Sequence, residues 1–234
     1  MSNRPGGELA KRPLQFIWLA DCSGSMQGKR IESLNFAIRE AIPAMRQVAD
    51  ENPNAQIFVR AIKFSDGAQW HISQPTDVHD FKWDDLTAEG VTDMGHALME
   101  LAKALEVKNM PDRGLPPVLV LISDGQATDD VNSGLKALMS QPWGKKAVRI
   151  AIAIGEGDAD EEVLRKFIGN LEIPLLYAKN VQELVRRIKW ASTVPLKAAS
   201  NPATRTKGDP ATGIIPVPAP PDNPVAPTST DEVF

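Results

Sequence analysis

The sequence holds one cysteine in 234 residues, Cys22, so no internal disulfide can staple the chain and a reducing compartment suits it. A basic excess is missing as well. The formal net charge is -4, which leaves no surplus to neutralise phosphates and excludes nucleic acid as the main partner. No stretch reaches the roughly 18–20 apolar residues of a membrane span, and the opening MSNRPGGELAKRP has no apolar signal core. No membrane association and a cytoplasmic location are therefore expected. The three histidines, His71, His79 and His96, lack metal-ligand spacing and read as surface or structural residues. The chain has no internal repeats, and after Val194 large apolar side chains become scarce.

What is present suffices for a core: 42% of residues are hydrophobic, and the apolar positions alternate between strand and helix patterns. Residues 1–13 are polar and punctuated by Gly and Pro, a loose leader. Residues 14–20 form a near-continuous apolar run, suited to a central strand buried on both faces. Ile31, Leu34, Ile38, Ile42, Met45 and Val48 then recur at steps of three and four, the buried face of a long helix that Pro43 should kink or divide. Residues 56–64 read as a strand, and a turn at Ser65, Asp66 and Gly67 leads to a short antiparallel edge strand over 68–72. Phe81, Trp83 and Leu86 pin the next loop to the sheet. A helix follows Asp93, and strands over 117–123, 148–154 and 175–177 alternate with helices over 129–139, 160–168 and 181–191. This alternation predicts an α/β fold with a mostly parallel sheet and helices on both faces. Residues 14–194 make the domain. Residues 195–234 are a Pro-rich tail, disordered or polyproline-like by composition.

The densest cluster of oxygen donors stands where the first strand ends. Asp21 is followed by Ser23 and Ser25 at alternate positions, with Gly24 letting the backbone bend so that one carboxylate and two hydroxyls converge. Such donors prefer Mg²⁺ or Mn²⁺ to zinc. Asp21-Cys22-Ser23-Gly24-Ser25 resembles the D-x-S-x-S opening of the metal-ion-dependent adhesion site of von Willebrand factor A domains. In that family a threonine and a second aspartate come from two later loops. Thr92 and Asp124 match them here. The resemblance spans about residues 14–191. It implies a three-layer, doubly wound Rossmann-like sheet of order 3-2-1-4-5-6, metal ligands Asp21, Ser23, Ser25, Thr92 and Asp124, and capture of a partner's acidic group by the bound cation.

Finer resemblance follows from Trp18-Leu19-Ala20-Asp21-Cys22-Ser23-Gly24-Ser25-Met26, Leu34-Asn35, Val59-Arg60-Ala61, Phe64-Ser65 and Thr92-Asp93-Met94-Gly95. These segments are similar to bacterial TerY-type proteins. That resemblance implies a scaffold in tellurite-resistance or stress signalling, with a Ser/Thr kinase and a PP2C-type phosphatase as partners. Asp93 and Asp129 read as caps of the helices that follow them, and Cys22 as a packed side chain. Two enzymatic readings compete. Residues 24–30 superficially resemble a phosphate-binding P-loop, but the spacing is one residue short and Arg30 stands where the Mg²⁺-binding hydroxyl belongs. A metal-assisted phosphatase is the alternative reading, and it lacks a nucleophile or general base; no catalytic residue is assigned. In the tail, Thr228 and Thr230 lie beside Asp231 and Glu232. They are candidate phosphorylation sites, and a flexible tail of about 40 residues spans roughly 30–40 Å, enough for self-binding at the metal face.

Overall fold

A computed structural model describes residues 11–155, 159–200 and 215–220. The apolar run of the first strand becomes β1 (Arg12–Asp21), buried without interruption from Leu14 to Asp21. It lies inside the sheet, parallel to both β2 (Ala55–Ser65) and β4 (Val118–Ser123). The full order is β3-β2-β1-β4-β5-β6, with β3 (Gly67–Asp77), β5 (Val148–Ile154) and β6 (Leu176–Ala178). Among the described strands only β3 runs antiparallel, at the edge beside β2, and it extends well past the expected residues 68–72. This is the expected doubly wound sheet, and the chain's direction of travel reverses between β1 and β4. In such sheets ligands sit outside the carboxyl ends of the strands at that switch point.

Helices cover both faces. α1 (Lys29–Asp50) packs with α6 (Val181–Ser200), and α2 (Met94–Ala104) packs with α3 (Val131–Ser140). The short α4 (Pro142–Lys146) was not anticipated, and α5 (Glu161–Ile168) follows β5. Pro43 does not divide α1, which runs on for 22 residues. Pro43 and Arg39, whose carbonyl loses its usual donor, are both exposed, so water can satisfy that carbonyl.

One helix boundary moves. α6 does not stop at 191: the helix passes through Pro195 to Ser200, burying Pro195, Leu196 and Ala199. Further on, Ile215 and Val217 pack against the core, so part of the tail returns to the domain. Residues 1–10 and the tail threonines Thr228 and Thr230 lie outside the described residues.

The irregular stretch after β3 is pinned as expected, with Phe81, Trp83 and Leu86 buried. Its main anchor is Asn35 of α1, whose amide donates to the Leu86 carbonyl at 2.9 Å. The Asn35 carbonyl oxygen accepts from the Trp83 indole at 3.0 Å and the Leu86 N–H at 2.9 Å. Arg46 adds bonds to the Val78 and Phe81 carbonyls. These contacts fix the segment that carries the chain toward Thr92.

Candidate functional site

Three loops meet at the carboxyl ends of β1 and β4. The first follows Asp21, the second precedes α2 and contains Thr92, and the third follows Ser123. Backbone bonds stitch them together: Glu89 N–H to the Cys22 carbonyl at 2.8 Å, Gly24 N–H to the Gly90 carbonyl at 2.9 Å, and Thr128 N–H to the Thr92 carbonyl at 2.9 Å. The approach at Gly90 requires glycine. Its φ is +77°, and a Cβ there would lie 2.5 Å from Asp66 Oδ1, which instead accepts the Val91 N–H.

The five predicted residues come together around this junction. Asp21 Oδ1 accepts the Ser23 N–H at 2.8 Å, folding the loop back on its own strand end. Ser23 Oγ is 3.0 Å from Ser25 Oγ, and the Ser25 hydroxyl donates to Asp124 Oδ1 at 2.7 Å. Thr92 reaches the same place. A Cβ on Gly125 would stand 3.5 Å from Ser25 Oγ and 3.7 Å from Thr92 Oγ1, so glycine at 125 keeps space open between two hydroxyls. Asp21 and Asp124 are wholly buried, Ser23 and Thr92 nearly so, and Ser25 is exposed. The cluster therefore opens to solvent on the Ser25 side.

Burial raises the Asp21 carboxyl above its ordinary value; bonds from Ser123 and Ser23 oppose this, while the charge of Asp124 adds to it. Two buried carboxylates beside three hydroxyls form an all-oxygen set, which fits a hard divalent cation and offers no soft ligand. Cys22, although adjacent, belongs to the core: it is 2% exposed, and burial followed by the Asp21 charge pushes its thiol up to about 12.

Several neighbours escaped the sequence reading. Ser123 donates to Asp21 Oδ2 at 2.5 Å, and Arg30 Nη1 lies 2.5 Å from Asp124 Oδ2. Thr128 accepts the Thr92 N–H at 3.1 Å and donates to Asp93 Oδ1 at 3.0 Å. The capping roles also differ. Asp129 caps α2, the helix before it, by accepting the Gly95 and His96 N–H groups at 2.8 Å each, while Asp130 caps α3. Asp93 holds the N-cap position of α2 without a capping bond, and its Oδ2 accepts the Gly67 N–H at 2.8 Å. These exchanges depend on α2 and α3 packing together, which brings residues some 35 positions apart into contact. His96 joins them: among the described residues, Asp93, His96 and Asp129 form a group whose ligand atoms lie within 4.8 Å of one another. His96 Nδ1 is 2.9 Å from Asp129 Oδ2.

Residues 16–126 match the family model of the von Willebrand factor type A domain. No curated protein matches the sequence. Among solved structures, the fold resembles a von Willebrand factor type A protein from Catenulispora acidiphila at 17% identity and TM-score 0.59, covering 80% of this chain and 43% of that one. It also resembles proximal thread matrix protein 1 from the mussel byssus, solved with a zinc-occupied MIDAS motif, at 16% identity and TM-score 0.56, covering 78% and 45%. The ArnB paralog VWA2 from Sulfolobus acidocaldarius gives 15% identity and TM-score 0.55, covering 76% and 45%. The chain thus spans under half the length of these structures, and the likeness is one of fold.

Proposed function

We propose, on the premise that residues 16–126 carry a von Willebrand factor type A domain, that the chain is a divalent-metal-dependent protein-binding module. In this reading Asp21, Ser23, Ser25, Thr92 and Asp124 hold Mg²⁺ or Mn²⁺, and the bound cation takes a carboxylate from an acidic partner. The observation that carries it is the convergence of two buried carboxylates and three hydroxyls, drawn from three loops, at the switch point of the sheet. The mussel protein with its zinc-occupied MIDAS supports a metal at this position in the fold. The donor set here is all oxygen, which favours Mg²⁺ or Mn²⁺ over zinc.

The chain's own residues prepare the site in three ways. Ser123 and the Ser23 N–H hold the Asp21 carboxylate in one orientation. The Ser25 hydroxyl donates its hydrogen bond to Asp124, so it accepts from Ser23 Oγ with one lone pair and keeps the other for a further contact. Gly125 leaves the space beside Ser25 Oγ and Thr92 Oγ1 without a side chain. A bound divalent cation supplies Lewis acidity and an exchangeable ligand position.

In this reading the module acts without turnover: the two carboxylates and three hydroxyls serve as cation ligands and as partners of one another. Its finer setting, a cytoplasmic scaffold in bacterial stress or tellurite-resistance signalling with a Ser/Thr kinase and a PP2C-type phosphatase as partners, rests on the TerY-like segments. Phosphorylation of Thr228 or Thr230 and self-binding of the tail are part of that setting. The test is affinity capture from the native cell with Mg²⁺ or with EDTA, using wild type and Asp124→Ala, alongside assays of ATP and phosphoester turnover. Capture that needs both the cation and Asp124, with no turnover, supports the module. Metal-dependent turnover that disappears in Asp21→Ala would replace it with the phosphatase alternative.

A further inference from the structure

Arg30 stands in the first turn of α1, where a cation meets the positive end of the helix dipole. Such a position is unfavourable unless another charge holds it. Asp124 does so, with Nη1 2.5 Å from Oδ2, and the arginine side chain is 20% exposed against 0% for the aspartate. The other oxygen of the same carboxylate accepts the Ser25 hydroxyl. Arg30 is therefore the counter-ion of a buried carboxylate that also belongs to the candidate metal site.

The two roles of Asp124 conflict. A guanidinium bonded to Oδ2 draws on the negative charge that a divalent cation would use, and a cation brought to the cluster meets a fixed positive charge in a weakly screened place. Arginine cannot relieve the repulsion by losing a proton. Its remaining course is to swing its flexible stem toward solvent, which it already reaches.

We propose that Arg30 is a built-in competitor for the divalent cation, and that it sets the concentration at which the metal site loads. The inference rests on the metal-binding reading above. It makes Arg30 a determinant of affinity rather than a ligand, and the opposite role is physically distinct: an arginine that only positions Asp124 would strengthen cation binding.

The sign of one substitution separates the two. Full-length wild type, Arg30→Gln and Arg30→Lys are titrated calorimetrically with MnCl₂ and with MgCl₂, and the thermal midpoint of each cation-free protein is recorded. Arg30→Gln should bind cations about tenfold more tightly or better, the scale of one charge contact in a partly buried site. It should also melt lower than wild type without cation, because its buried carboxylate has lost its counter-ion. Arg30→Lys keeps the charge and should stay near wild type. Equal or weaker affinity in Arg30→Gln overturns the competitor role while leaving the metal site intact. If none of the three proteins binds either cation, the metal reading falls and this inference with it. Should Arg30→Gln fold only with cation, recovery at a concentration below that saturating wild type supports the competition, and failure to recover overturns it.

Discussion

Asp21 and Cys22 are neighbours in sequence with opposite tasks, one closing β1 and the other opening the loop beyond it. The Asp21 carboxylate meets Ser123 and Ser23 at the strand end, whereas the Cys22 thiol turns into the core with its pKa pushed up to about 12. Cys22 should therefore resist a thiol reagent at pH 8 in the folded protein and react fully once denaturant opens the core; rapid labelling of the native chain contradicts its placement. The cap of α3 gives a pH signature. Asp130 is held below the ordinary aspartate value of 3.8 by the Ser133 hydroxyl and N–H. A depressed carboxylate contributes stability above that unfolded value and loses it as pH falls through the folded one. The stability gap between wild type and Asp130→Asn should accordingly narrow below pH 3.8, and a gap that widens on acidification would refute the cap. Asp129 acts across elements, so Asp129→Ala should cost about 1 kcal/mol by denaturant unfolding, the usual value of a lost N-cap. Because Thr92 lies just ahead of α2, the same change should also weaken cation binding.

At the scale of elements, α6 carries the clearest consequence. Leu196 is wholly buried beyond Pro195, and Lys197 pairs with Glu51 of the adjoining turn at 3.1 Å. Leu196→Ala should cost about 2–5 kcal/mol, the range for a large-to-small change in a packed core. A chain ending at Val194 should likewise melt below one ending at Ser200, and equal midpoints would show that the last turns of α6 contribute nothing. Composition could not reveal this extension. Proline and the falling count of large apolar residues mark a helix end on local grounds, but packing against α1 overrides that preference. β5 was legible to the residue, since its apolar run reads the same way in sequence and in space, although the burial of Arg149 within it has no signal in the sequence. The edge strand β3 was underestimated because none of its residues is fully buried and its apolar pattern is weak.

For the whole molecule, the order β3-β2-β1-β4-β5-β6 places the ends of β1 and β4 side by side, so residues about 100 positions apart share one site. The five candidate ligands could be read from the chain because their types and loop positions follow a resemblance. Their supporting contacts could not, since Ser123 on Asp21 and Arg30 on Asp124 are tertiary pairings with no local signature. The central claim is that this junction holds a divalent cation. A cation bound only by the folded state stabilises it by about 2.7 kcal/mol at a hundredfold excess over Kd. The decisive measurement is the thermal midpoint of wild type and Asp21→Asn across a titration of Mg²⁺ and Mn²⁺. The account predicts a saturable rise in wild type that is absent from the variant, and an equal rise in both proteins, or none in wild type, would contradict it.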